Sequence, residues 1–150
     1  MKIGYTAGVY DMFHIGHLNL LKNAKSHCDY LIVAVSTDEL TQAYKNKKPV
    51  IPFAERAAII EAIRYVDKVV PQTSVDVPGK KQAAMEHGID VMFVGDDWKG
   101  TDKWNRIEQE LQSIGVSVVY LPHTDGISSS CLRSVIGANA GKGCKKGAVM

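Results

Sequence analysis

Apolar residues fall along this chain in two alternating patterns, short continuous runs and stripes spaced three and four apart, which together predict strands alternating with helices. An apolar, β-prone run from Lys2 to Gly8 ends in small residues, and from His17 the apolar positions recur at Leu20, Leu21, Ala24 and Cys28, the spacing of one helix face. This stretch predicts a strand, a tight turn and a helix. Tyr30 to Ser36 is a continuous apolar run, as expected of a parallel strand covered on both faces. Ser36-Thr37-Asp38-Glu39 reads as a turn that can open a helix. From Thr41 to Pro52 the pattern dissolves into a polar loop closed by Pro49 and Pro52, and loops of this length in a compact domain are often functional lids.

Phe53 to Tyr65 predicts a second amphipathic helix with Ala57, Ile60, Ala62 and Ile63 on its apolar side, followed by a short strand from Lys68 to Pro71. Pro78 to His87 predicts a third helix ended by Gly88, and Asp90 to Val94 a fourth strand. Val116 to Leu121 is the fifth, reached through a helix around Asp102 to Ile114 that stops at Gly115. With a last helix after Ser128, five strands alternate with five helices. That is the pattern of an α/β fold with a doubly wound parallel five-stranded sheet, Rossmann-like, with right-handed crossovers. Ligands of such sheets sit beyond the carboxyl ends of the strands, near the switch in strand order.

Composition narrows the class. A chain of 150 residues is one domain long enough to bury a sizeable core, and 45% hydrophobic with 23% charged residues is ordinary globular usage. No run of about 18 apolar residues is present, and Met-Lys-Ile leads straight into a strand rather than a signal peptide, so a cytoplasmic protein without membrane insertion is expected. Cys28, Cys131 and Cys144 are too few and too scattered for a disulfide framework or a zinc ribbon. A net charge of +2 does not mark a nucleic-acid binder, but Lys45, Lys47, Lys48, Arg56 and Arg64 cluster locally and suit a small polyanion. From Gly137 onward glycines and lysines dominate with almost nothing to pack, which predicts a domain over residues 1–137 and a flexible Gly/Lys-rich tail over 138–150.

The densest chemistry lies in the first turn, Gly8-Val9-Tyr10-Asp11-Met12-Phe13-His14-Ile15-Gly16-His17. The free N–H groups and positive dipole end of a helix beginning here attract anions. His14 and His17, three apart, would lie on one side of the first helical turn, where their ring N–H groups can hold phosphate oxygens. Gly16 between them lets a ligand approach the backbone. A metal site is disfavoured, because no third ligand lies nearby and neither C-x-x-C nor H-E-x-x-H occurs.

H-I-G-H after G-V-Y-D resembles the signature of the H-x-G-H nucleotidyltransferase superfamily. Gly95-Asp96-Asp97-Trp98-Lys99-Gly100 and His123-Thr124-Asp125-Gly126-Ile127-Ser128-Ser129-Ser130 resemble the G-D-D-W-x-G and R-T-E-G-I-S-T-S stretches of its cytidylyltransferases. The likeness spans residues 1–137 and is greatest to the bacterial glycerol-3-phosphate enzymes. It implies condensation of CTP with a phosphoalcohol, release of pyrophosphate, Mg²⁺ as the triphosphate's counterion with no dedicated protein metal ligands, and a homodimer. The nucleophile is a phosphate oxygen already mostly ionised, with a second pKa of about 6, so the site must supply positioning and cations rather than a general base.

By the same resemblance, His14 and His17 touch the triphosphate, with Gly8, Val9 and Gly16 beside them and Asp11 orienting the site. Lys45 and Lys47 correspond to the family's lid K-x-K, Lys45 spanning the two reacting phosphates. Arg56 stands in the place of the family's phosphate-binding E-R pair, and Arg64, in I-R-Y-V-D, on the acceptor side. Asp97 would face the N4 amino group of cytosine, with Trp98 a flat wall for the base. Thr124, Gly126, Ile127, Ser128 and Ser129 would grip the terminal phosphates at a helix start. The pattern departs at His123, where the family usually has arginine, and at Val9, where the glycerol-3-phosphate enzymes have threonine. It departs again at Gln72-Thr73-Ser74-Val75, which lacks their tryptophan. Apolar residues at the Val9 position occur in the family's phosphocholine and phosphoethanolamine enzymes, and the lid also resembles that of archaeal FMN adenylyltransferases, so cytidylyl transfer to phosphocholine or phosphoethanolamine and adenylyl transfer to an FMN-type acceptor are the alternative reactions.

Overall fold

The backbone of β1 (Ile3–Gly8) lies at the centre of a five-stranded parallel sheet, with β2 (Tyr30–Ser36) and β3 (Lys68–Gln72) on one side and β4 (Val91–Gly95) and β5 (Ser117–Leu121) on the other, in the order β3-β2-β1-β4-β5. This is a computed structural model, and it describes residues 1–124 and 126–138. β1 pairs with β2 from Ile3↔Tyr30 to Gly8↔Val35 and with β4 from Gly4↔Val91 to Thr6↔Phe93. The chain therefore winds outward from β1 in both directions, and a crevice opens at the carboxyl ends of β1 and β4.

Period-two alternation along β2 separates two cores. Leu31, Val33 and Val35 face α1 (Ile15–Ser26) and α3 (Phe53–Glu61), packing with Leu21, Ala24 and Ile60. Ile32 and Ala34 face α4 (Val77–His87) and α5 (Asp102–Gln112), packing with Ala84, Trp104, Ile107 and Leu111. Burial on both faces is why β2 reads as an unbroken apolar run. Gly4 allows a close approach inside the sheet: a Cβ there would lie 2.5 Å from the Phe93 ring and 2.8 Å from Cys28 Sγ.

Aspartates tie the amino-terminal edge of the sheet. Asp29 accepts from the Lys2 N–H at 2.7 Å, Asp90 from the Ile3 N–H at 2.8 Å, and Asp67 from the Leu31 N–H at 2.8 Å while pairing with Lys25. Each carboxylate satisfies a strand-end donor that would otherwise need water.

Two expectations change. The first half of the predicted polar loop is helix, α2 (Asp38–Lys45), capped by the Thr37 hydroxyl, which accepts from the Leu40 N–H at 3.1 Å, and ended by Asn46 in the left-handed region. With α6 (Ser129–Ala138), six α-helices are present among the described residues rather than five, together with a short 3₁₀ turn over Asp96–Trp98. The second predicted helix stops at Glu61 rather than Tyr65. Apart from Ala138, at the end of α6, the expected tail lies outside the described residues. No described helix is long and apolar enough to cross a membrane.

Candidate active site

The turn from β1 to α1 is held in a costly conformation. Tyr10 and Met12 both have positive φ, 54° and 49°, each costing roughly 1–2 kcal/mol for an L-residue. The result sets His14 as the N-cap of α1. Its Nδ1 accepts from the Gly16 N–H at 3.0 Å, and the Nδ1 of His17 accepts in turn from the His14 N–H at 3.2 Å. A backbone amide can only donate, so both Nδ1 atoms are acceptors and the proton of each neutral ring sits on Nε2. The rings stack with centroids 3.8 Å apart. Gly16 is required by this fold of the ring itself: a Cβ there would come within 2.8 Å of His14 Cε1.

Burial lowers the pKa of both histidines, that of His17 to about 3, with the His14 ring adding to the effect and Asp11 opposing it. They are neutral hydrogen-bond donors at neutral pH. The Nε2 of His14 is buried without a hydrogen-bond partner, a donor left for a ligand.

Asp11, 2% exposed, is the hub beneath them. Its carboxylate accepts from the Val50 N–H at 2.8 Å and the Ile51 N–H at 2.9 Å and is paired with the Arg133 guanidinium, while its carbonyl accepts from the Ser129 hydroxyl. Burial pushes its carboxyl upward, but the two amides and Arg133 outweigh that and hold it below the usual carboxylate range. The end of the lid and the start of α6 are thereby fastened to the β1–α1 turn.

Arg56 is the correction. The sequence reading put it on phosphate, but it is 1% exposed and its donors are spent internally. Nε donates to the Ile51 carbonyl at 2.8 Å, Nη1 to those of Val9 at 2.7 Å and Ser36 at 2.8 Å, and Nη2 pairs with Asp38 at 2.6 Å. It braces the ends of β1 and β2 and the lid from inside. Arg64 is also displaced from the expected site. It is exposed in the connection from α3 to β3, at the amino-terminal edge of the sheet, and the neighbouring Asp67 pairs with Lys25 instead.

Two cavities open at the crevice. The first, about 340 Å³, is lined by Val9, Asp11, His14, Gly16 and His17 from the first turn and by Lys45, Lys47 and Lys48 from α2 and the lid. Asp97, His123, Thr124, Ile127, Ser128, Ser129 and Arg133 complete it. The amino-terminal ends of α1 and α6 both border it, so two helix dipoles and their free N–H groups meet one space. His123 Nδ1 lies 3.0 Å from Asp96 and 3.5 Å from Asp97. Asn19 ties α1 to Thr124 at 2.9 Å.

The second cavity, about 400 Å³, lies on the α4/α5 side and is lined by Gly8, Tyr44, Gln72, Lys80, Trp98, Lys103 and Trp104 among others. Trp98 and Gly8, expected at the nucleotide, border this cavity, and Gly126 lines neither. Lys45, Leu20 and Gly95 border both cavities. The Lys45 ammonium has its pKa lowered by burial and by the nearby charges of Arg133 and Lys47. Arg133 was missed by the sequence reading, although it follows Ser129 by four residues and so shares its helix face.

A cavity with two helix ends, the unpaired ring N–H of His14 and clustered cations suits a polyphosphate, and the cytidylyltransferase-like family model matches residues 5–135. The chain belongs to the cytidylyltransferase-like family. The glycerol-3-phosphate cytidylyltransferase of Bacillus subtilis is 42% identical over 136 residues, 91% of this chain and 98% of its own. The FAD synthase of Pyrococcus abyssi is 37% identical over 120 residues, 77% of each chain. Among solved structures, a lipopolysaccharide core biosynthesis protein from Thermoplasma volcanium shares the fold with a TM-score of 0.68 and 25% identity, over 83% of this chain and 97% of its own. As a cytidylyltransferase-like protein the chain is a nucleotidyltransferase.

Proposed function

We propose that this chain transfers a cytidylyl group from CTP to sn-glycerol 3-phosphate, forming CDP-glycerol and pyrophosphate. One observation carries the reading beyond family membership: Lys45 stands in the shared wall of the two cavities, where the phosphates of two substrates would meet. CTP occupies the first cavity and the acceptor the second. An oxygen of the acceptor phosphate attacks the α-phosphorus, a new P–O bond forms, and the bond to the β-phosphate oxygen breaks in line, pyrophosphate leaving with the electron pair. His14 and His17 donate through Nε2–H to the charge that builds in the transition state. Lys45 holds both reacting phosphates, while Lys47, Arg133 and the start of α6 hold the leaving group. Asp97 faces the base and favours the amino group of cytosine over the carbonyl of uracil.

Mg²⁺ supplies charge neutralisation when it arrives with the triphosphate. The Asp11 carboxylate is engaged by two amides and Arg133. Asp96, Asp97 and His123 have ligand atoms within 4.8 Å of one another, and this exposed, mixed set suits an ion brought by the substrate better than a resident one. A homodimer acting in the cytoplasm belongs to the same reading, and sedimentation velocity measures the former.

The test is pyrophosphate release with CTP and Mg²⁺ against a panel of phosphoalcohols, with ATP and FMN as the rival pair and His14→Ala as the blank. Release with CTP and glycerol 3-phosphate, absent in the variant, is the expected result. Release only with ATP and FMN moves the chain to the adenylyl branch that its FAD synthase relative represents.

A further inference from the structure

His17 is enclosed by three rings. That of His14 stacks on it with centroids 3.8 Å apart, that of Phe13 tilts against it at 5.3 Å, and that of Tyr10 meets it at 5.4 Å with the two planes 71° apart. All three come from the turn between β1 and α1, in which Tyr10 and Met12 have positive φ. Strain of this kind persists only where the surrounding structure over-determines it, and here it brings residues 10 and 13 against the same side chain. Gly8 gives the Tyr10 ring its seat: a Cβ there would lie 3.1 Å from both Cε2 and Cζ of that ring. Tyr10 is 5% exposed and belongs to the core on the α1 side, against which Phe13 packs half-buried.

The Tyr10 hydroxyl is buried without a hydrogen-bond partner. Burial raises its pKa, with the nearby Thr6 hydroxyl opposing, so it stays protonated. A buried polar group left unsatisfied costs stability, so what the position uses is the ring. Rings around a side chain that can carry charge act in two directions. Their faces attract a cation, while their bulk keeps water from it. Desolvation lowers the pKa of a buried imidazole by about 3 or more, whereas a ring face returns about 1. The second effect wins at His17, whose pKa falls to about 3 through burial first and the His14 ring second, with Asp11 opposing. The other charged or titratable groups that share its cavity are Lys45, Lys47 and Lys48 from α2 and the lid, Arg133 from α6, Asp97 after β4 and His123 after β5. Cations outnumber carboxylates among them, which also disfavours an imidazolium.

The geometry points to Tyr10 and Phe13 as positioning residues: with the stacked His14 ring they form an aromatic box that fixes the plane of His17 and shuts water out, so that this ring meets its ligand as an uncharged donor. The Nδ1 edge of the ring is anchored by the His14 N–H. The box stops the ring from turning about that bond, and Nε2–H keeps one direction. The catalytic consequence rests on the cytidylyl-transfer reading above. An imidazolium would bind the standing charge of the triphosphate before any reaction, which lowers KM without raising kcat. A neutral N–H held in place gains most as charge builds in the transition state.

The experiment is an NMR pH titration of the full chain carrying isotopically labelled histidine, alongside steady-state kinetics with CTP and glycerol 3-phosphate. The parent, Tyr10→Leu, Tyr10→Phe and Phe13→Leu are compared, and His17→Asn assigns the His17 signals. In the parent, His17 is expected to keep a bare Nδ1 and a protonated Nε2 from about pH 8 to about pH 4.5. Tyr10→Leu should admit water, bring protonation of His17 up to about pH 5–6 and lower kcat about tenfold, with KM for CTP within about twofold of the parent. Phe13→Leu should do the same to a smaller degree, and at its half-buried position it keeps the test decisive if Tyr10→Leu does not fold. Tyr10→Phe, which returns the ring without the hydroxyl, should rescue both readouts. A His17 titration unmoved in the folded Leu variants, a kcat unchanged by both, or a Tyr10→Phe chain that behaves as Tyr10→Leu overturns the proposal. A parent without turnover overturns the reaction assigned above and leaves the box to be decided by the titration alone.

Discussion

Asp11 and Arg133, 122 positions apart in the chain, meet side chain to side chain beneath the first cavity, joining the turn after β1 to the face of α6. The same carboxylate holds the lid amides of Val50 and Ile51. Asp11→Ala leaves the Val50 and Ile51 N–H groups and a guanidinium without their acceptor, and a loss of about 3 kcal/mol in stability is expected. Urea unfolding of Asp11→Ala, Arg133→Met and the double variant should give a coupling energy of about 1–3 kcal/mol, because the two side chains share one interaction. Hydrogen exchange at Val50 and Ile51 should accelerate in Asp11→Ala and not in Arg133→Met.

Lys45 and Lys47 are separated by their positions. Lys45 ends α2 and borders both cavities, whereas Lys47 borders the first alone. Lys45→Met should lower kcat by about 10²–10³, and Lys47→Met should chiefly raise KM for CTP. Equal effects on kcat would remove Lys45 from the junction of the two reacting phosphates.

Removing Arg56 should damage the fold rather than one kinetic constant. Lysine cannot span the four acceptors of Ile51, Val9, Ser36 and Asp38 that the guanidinium reaches. Arg56→Lys should cost about 3 kcal/mol, seen as a lower Tm. A variant with full stability and a raised KM for CTP would restore the phosphate role.

His17 gives the stability a pH dependence of known sign. Its folded pKa is lowered to about 3, so below the ordinary imidazole value of 6.5 the unfolded chain binds a proton that the folded chain refuses. The stability linked to this group is fully present above that value and is lost progressively as pH falls toward 3. His17→Asn keeps an acceptor for the His14 N–H and removes the titration. Its unfolding free energy should fall less steeply between pH 6.5 and 4 than that of the parent, while kcat falls about 100-fold with loss of the Nε2–H donor.

Much of this was legible in the sequence because local patterns carried it. The period-two burial of β2 and the H-I-G-H spacing are properties of neighbouring residues, and both histidines lie in the cavity where that spacing put them. What was misread depends on which distant groups converge. Arg56 looks like a phosphate ligand until three carbonyls from separate segments meet its guanidinium. Trp98 follows Asp97 in the chain, yet the turn after β4 sends the two side chains to different cavities. Thr41 to Lys45 is too polar to announce a helix, and Thr37 capping with an Asn46 stop supplies what hydrophobic spacing does not.

On the proposed reading, the two cavities divide the reaction between separately encoded parts of one sheet. Donor recognition lies with the first turn, the segment after β5 and α6, and acceptor recognition with α4, α5 and the stretch after β3, with Lys45 as the joint. The two halves can therefore diverge independently. Replacing residues 73–87 together with the start of α5 would graft a new acceptor preference onto an unaltered nucleotide site, a modular route by which one scaffold can give rise to a series of CDP-linked products.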